Sequence, residues 1–214
     1  MNHVLVAPAH DDFEVAAREG RRVTVARHTR ETDIAITLDL DGTGAADVRS
    51  GVGFLDHLLA AFAHHGLFDL AVRATGDLDV DEHHTVEDVA LVLGSAFAEA
   101  LADRAGIVRF GEASVPMDEA LATAGVDVGG RPYAVVHLPF HGERVGALPT
   151  QLVEHVLEAF ARMSGTTLHV RGTGRNDHHL AEAAFKALAR ALRAAVAEDP
   201  RRAGAVPSTK GSLG

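Results

Sequence analysis

Two clusters, His83-His84-Thr85-Val86-Glu87 and His178-His179-Leu180-Ala181-Glu182, carry the residue types with which a protein holds a divalent ion or moves a proton. Each opens a stretch with apolar residues three and four apart: Val89, Leu93, Ala96 and Phe97 in one, Phe185, Leu188, Ala189 and Leu192 in the other. That period predicts a helix starting at each cluster. Residues three and four apart share a helix face, which lays Glu87 beside His83 and His84, and Glu182 beside His178 and His179. Adjacent histidines, however, point about 100° apart on a helix. One member of each pair must turn towards something else, and two metals or two chains would satisfy both.

A third histidine recurs with the clusters. Leu55-Asp56-His57-Leu58-Leu59-Ala60-Ala61-Phe62-Ala63 matches Val153-Glu154-His155-Val156-Leu157-Glu158-Ala159-Phe160-Ala161 at an offset of 98 (155 − 57), and Leu70–Gly76 matches Leu168–Gly174 at the same offset. Glu31 and Asp39 match Glu119 and Asp127 at an offset of 88 (119 − 31). Between Gly76 and His83 the second copy is shorter by three residues (98 against 178 − 83 = 95), a change confined to one loop, as expected after internal duplication.

The matched set is His57, His83, His84, Glu87, His155, His178, His179 and Glu182. A lone His-His-x-x-Glu would be read as an ordinary helix start; its retention in two copies favours metal ligation. The chain has no cysteine, so ligands must be nitrogen and oxygen, which suit Mn, Fe, Co, Ni or Zn. These residues are too many for one ion, whereas two ions with four protein ligands each would keep open positions for a substrate. A metal-storage or metal-sensing shell would use the same residues. A dinuclear hydrolase would normally rely on bridging aspartates, and Asp88 is matched by Ala183.

The elements that must position this set follow from local patterning. Alternation predicts strands over 22–27 and 32–40, and a turn at Asp41-Gly42-Thr43-Gly44 leads to a short strand over 45–50. A helix over 52–65 ended by Gly66, a strand over 68–74 and a helix over 85–102 follow. The second half repeats the order, with strands at 113–117, 121–128 and 131–138, a helix at 149–163, a strand at 167–171 and a helix at 178–197. The expected class is α+β: two duplicated halves, 21–108 and 109–200, each a four-stranded sheet with two helices, packed helix to helix between outer sheets. Residues 1–20 read as an N-terminal extension with a short helix around Phe13 to Glu19, and 201–214 as a C-terminal tail.

A net charge of −10 with no basic run longer than two residues excludes nucleic acid as an expected partner. No apolar run approaches the ~20 residues that span a membrane. The first ten residues lack a basic start and an apolar stretch, so a cytoplasmic protein is expected. Of the fourteen histidines, His3, His10, His28, His64, His65, His137, His141 and His169 fall outside the repeat and are expected to serve surface or packing roles.

Ordered motifs over about Arg22 to Leu213 resemble the imidazoleglycerol-phosphate dehydratase family: Arg30-Glu31-Thr32, Phe54-Leu55-Asp56-His57, Ala74-Thr75-Gly76-Asp77, His83-His84-Thr85-Val86-Glu87-Asp88, Arg109-Phe110-Gly111, Asp127-Val128-Gly129-Gly130-Arg131-Pro132-Tyr133, His178-His179, Phe185-Lys186-Ala187 and Pro207-Ser208-Thr209-Lys210-Gly211. The resemblance implies duplicated ferredoxin-like halves, two Mn2+ ions per active site on the eight repeated residues, and a homo-24-mer with sites between subunits. It also implies substrate contacts at Glu31, Arg109, Arg131, Ser208 and Lys210. Arginine forks and a lysine point charge suit the phosphate of such a substrate.

The implied reaction removes water from D-erythro-imidazole glycerol phosphate in histidine biosynthesis, giving imidazole acetol phosphate. A metal-bound imidazolate would expel the hydroxyl to leave a diazafulvene, with Glu31 or Glu182 moving protons. Two departures from the family pattern stand out. Ala61 replaces a polar glutamine that faces substrate in many members, and the loop 172–177 is one residue shorter.

Overall fold

A computed structural model describes residues 13–202 and 204–213. The first half runs β1 (Phe13–Glu19), β2 (Arg22–His28), β3 (Thr32–Asp39), β4 (Ala46–Arg49), α1 (Gly53–Gly66), β5 (Asp69–Gly76) and α2 (His83–Leu101). The second runs β6 (Phe110–Met117), β7 (Ala120–Asp127), β8 (Tyr133–His137), the two-residue strands β9 (Arg144–Val145) and β10 (Leu148–Pro149), α3 (Thr150–Ser164), β11 (Thr167–Thr173) and α4 (Asp177–Val196).

The first sheet has the order β1-β2-β3-β5-β4 and the second β6-β7-β11-β8. In each, the last strand runs parallel to its neighbour and the others pair antiparallel. The first sheet therefore has five strands, not four. Phe13–Glu19, expected as a short helix, pairs with β2 instead, and residues 1–12 of the expected extension lie outside the described residues. β1 is an edge strand, exposed along almost its whole length, so it shows no alternation of apolar and polar residues. The ribbon of β9 and β10 was also not expected; strands of two residues leave no periodic trace.

Each sheet buries one face under its helices. Along β3 the inward residues are Thr32, Ile34, Ile36 and Leu38; along β7 they are Ala120, Ala122, Ala124 and Val126. The small residues of β7 and the buried alanines of α4 let the second helix layer lie close to its sheet. The helices then pair across the halves, α1 with α4 and α2 with α3. Phe62, Phe68, Phe97 and Phe160 interlock where they meet, at ring-centroid distances of 5.4 to 6.4 Å. Burying such rings contributes roughly 2–3 kcal/mol each.

Helix ends also bear on the site. Gly66 was expected to end α1, but it is the last helical residue, and Leu67 takes the left-handed conformation at φ 55°. The Phe68 N–H then donates to the Ala63 carbonyl at 3.0 Å, the wrap that closes many helices. At the start of α4 the Asn176 side chain accepts from the His178 and His179 amides, which fixes the turn carrying both histidines. No helix among the described residues is long and apolar enough to cross a membrane.

Candidate metal centre and active site

The crossed pairing of helices builds two matched nests. In the first, α1 supplies His57 and α4 supplies His178 and Glu182. Both Nε2 atoms reach one carboxylate oxygen, Glu182 Oε2, at 2.9 Å from His57 and 3.1 Å from His178. In the second, α3 supplies His155 while α2 supplies His83 and Glu87. His155 Nε2 lies 3.3 Å from Glu87 Oε1, and His83 Nε2 lies 3.8 Å from Glu87 Oε2. Neither nest is made by one half alone.

Within one chain, six of the eight repeated residues converge in this way. The remaining histidines turn away from their own glutamates, as the 100° divergence requires. His84 Nδ1 meets Asp77 Oδ2 at 2.9 Å, with Glu31 Oε2 further off at 3.7 Å. His179 Nδ1 meets Glu119 Oε2 at 2.9 Å. Both contacts raise the histidine pKa, the first-named carboxylate being the main cause in each case.

The two nest carboxylates have different backing. Lys186, one helical turn beyond Glu182, places Nζ 2.6 Å from Glu182 Oε1. Burial acts to raise the Glu182 pKa, but Lys186 and His57 outweigh it and hold the group down to about 2. Glu87 is backed from α3 instead, by Arg162 at 3.0 Å; burial again opposes, and Arg162 and His155 still lower its pKa. Both carboxylates are therefore anionic at neutral pH.

The residues fit a divalent ion. Each nest offers two imidazole nitrogens and a carboxylate, a nitrogen-and-oxygen donor set suited to first-row transition metals. His155 Nε2 is buried with no hydrogen-bond partner although it points at Glu87, and a ligand bond would satisfy it. Phe54 walls the first nest, its ring centroid 5.9 Å from His57 and 4.9 Å from His178.

The expected phosphate group is arranged around Asp127. Arg109 grips it with two bonds, at 2.7 and 3.0 Å, and also donates to the Pro207 carbonyl at 2.8 Å, which brings the segment of Ser208 and Lys210 to the same corner. Arg131 makes one longer bond to Asp127, 3.3 Å, and its side chain is 65% exposed. Ser208 Oγ accepts from the Lys210 amide at 3.2 Å, and Lys210 is exposed.

Sequence reasoning gave no role to Asp77, Glu119, Arg162 or Lys186. Lys186 could have been found from its four-residue spacing to Glu182. Arg162 could not, because its contact depends on how α3 lies against α2.

Two halves of one α+β design, meeting through helices that build paired histidine-and-carboxylate nests, define the class of a duplicated α+β protein whose nests could each hold a metal ion. A sequence model of imidazoleglycerol-phosphate dehydratase matches residues 50–192. The enzyme of that name from Methanoculleus marisnigri is 58% identical over 193 residues, 90% of this chain and 100% of the relative. That from Dinoroseobacter shibae is 54% identical over 194 residues, again 90% and 100%. Among solved structures, the Staphylococcus aureus dehydratase superposes with a TM-score of 0.74 at 35% identity, over 82% of this chain and 98% of that one. The Pyrococcus furiosus enzyme, solved in complex with (S)-C348, gives 0.76 at 36%, over 88% and 99%. The chain belongs to the imidazoleglycerol-phosphate dehydratase family and is a hydro-lyase.

Proposed function

We propose that this chain dehydrates D-erythro-imidazole glycerol phosphate to imidazole acetol phosphate in histidine biosynthesis, using two Mn2+ ions. The observation that carries the reading is the matched pair of nests in a member of this family. His57, His178 and Glu182 would hold one ion, and His155, His83 and Glu87 the other. His84 and His179 each engage a carboxylate through Nδ1, which leaves Nε2 as the ligating atom, and they would complete nests of neighbouring copies. That requirement supports active sites between the subunits of a homo-24-mer.

Bound ions would acidify the ring N–H of the substrate and so ease departure of the neighbouring hydroxyl. The chain's own residues do the rest. Glu31, exposed and held by one loose contact, moves the proton at carbon, whereas Glu182, engaged by Lys186, His57 and His178, serves as a ligand. Arg131, Ser208 and Lys210 take the phosphate. Arg109, committed to Asp127 and Pro207, orders the segment that carries Ser208 and Lys210 as well as lending its charge.

In this reading 21–108 and 109–200 are the two repeats and 201–214 the substrate-binding tail. The enzyme works in the cytoplasm, without a nucleic acid or membrane partner. The test is a dehydration assay on imidazole glycerol phosphate with metal-stripped protein, adding Mn2+, Zn2+ or Mg2+ in turn. Product with Mn2+ is expected, and absence of product with every ion would remove the proposal.

A further inference from the structure

The two halves repeat a glutamate, Glu31 and Glu119, but the two copies are bound differently. Glu119 is fully engaged. Its Oε2 lies 2.9 Å from His179 Nδ1, and its Oε1 accepts from the Arg175 and Asn176 amides at 3.0 and 2.7 Å. Asp118 lies 3.8 Å from His179 Nε2, but its side chain is 79% exposed and the contact is too long for a hydrogen bond. Glu31 has no comparable hold on His84: its Oε2 is 3.7 Å from Nδ1 and its side chain is 55% exposed. Asp77 has taken that nitrogen at 2.9 Å.

The source of the difference is the loop that leads from β5 to α2, whose counterpart between β11 and α4 is three residues shorter. After Gly76 the chain runs seven residues to His83 and begins with Asp77; after Gly174 it runs four residues to His178 and begins with Arg175. The shorter loop has no carboxylate at that place, and the repeated glutamate supplies it. The longer loop brings its own.

We propose that the duplicated glutamates have divided their work. Glu119 is a positioning residue that fixes the His179 ring through Nδ1, while Asp77 does this for His84 and thereby leaves Glu31 free to act on substrate. An imidazole whose Nδ1 donates to a carboxylate is held in one tautomer and one orientation, with the Nε2 lone pair presented to an ion. The inference rests on the metal-dependent reading above.

The test compares equivalent positions. The assembled full-length protein is stripped of metal and titrated with Mn2+, with free ion read by electron paramagnetic resonance and folding checked by thermal melting. Glu119→Gln and Asp77→Asn should each weaken Mn2+ binding by about ten-fold or more. Glu31→Gln should leave Mn2+ affinity close to wild type while turnover of imidazole glycerol phosphate collapses. If Glu31→Gln and Glu119→Gln weaken the ion alike, or if neither Glu119→Gln nor Asp77→Asn weakens it, the division of work is wrong. Should Glu119→Gln fail to fold, Asp77→Asn against Glu31→Gln decides the matter within the first half alone. Wild-type protein that takes up no Mn2+ would overturn the proposed function itself, an outcome distinct from uptake with no difference between variants.

Discussion

His57 and His178 come from opposite halves of the chain, yet their rings lie 5.3 Å apart and their Nε2 atoms share one oxygen of Glu182. His155 and His83 also come from opposite halves, with rings 5.2 Å apart, and approach Glu87 through one carboxylate oxygen each. Each nest should therefore fail independently. His57→Asn is expected to remove one ion per chain and leave the other, and His155→Asn to do the reverse. Metal analysis after gel filtration checks this; loss of both ions in either variant would show that the nests are coupled.

Asp88 links the strands to the helix behind Glu87. It accepts from Thr32 Oγ1 at 2.5 Å and pairs with Arg27, and both side chains of that ion pair are largely buried. The Phe13 ring lies over the Arg27 guanidinium at 5.4 Å. Asp88→Ala would strand a buried cation and should destabilise the chain by roughly 3–5 kcal/mol, whereas replacing Arg27 and Asp88 together with apolar residues of similar volume should cost much less. Urea unfolding of the two variants distinguishes the cases.

Asp127 sets an acid limit on the segment that carries Ser208. Burial acts to raise its pKa, but Arg109 and Arg131 lower it overall from the ordinary 3.8. A carboxyl depressed in the folded state contributes stability that is complete above its unfolded pKa and is lost as pH falls through the folded one. Protection of the 204–213 segment from proteolysis should accordingly hold above pH 3.8 and weaken below it. Asp127→Asn should lose that protection at neutral pH, and a segment equally protected in the variant would refute the role.

Gly94 sets the approach of α2 to α3. A Cβ there would stand 2.7 Å from the Phe160 carbonyl oxygen and 2.8 Å from Met163 Cβ. Gly94→Ala should destabilise by about 1–3 kcal/mol through overpacking. It should also pry His155 away from His83 and Glu87, so the ion at that nest is lost before the one at His57. Melting and metal stoichiometry, measured together, test both effects.

How much of this could be read from the residues depended on distance along the chain. His83 with Glu87, and His178 with Glu182, are one helical turn apart, and periodicity alone was enough to join them. The joining of His57 to His178 across the halves was not legible, because it depends on α1 lying against α4 rather than α2. The alternation in β3 marks a buried face, whereas Phe13–Glu19 sits at an edge and has no such face to mark it. Asp77 and Glu119 lacked any signal as partners because they are reached through loops of unequal length. Leu67 occupies a backbone conformation that composition assigns to the glycine before it.

The borrowed histidine in each nest carries an evolutionary consequence. Before the fusion of two copies, a single half would have possessed His-x-x-x-Glu on one helix and a lone histidine on another, facing different ways. An ancestor of that size could have gripped an ion only as a dimer of identical chains, each lending its lone histidine to the other. A single chain carrying both halves has that exchange built in and is free of the dimer's symmetry: one nest is braced by Lys186 from within its own helix and the other by Arg162 from the helix opposite.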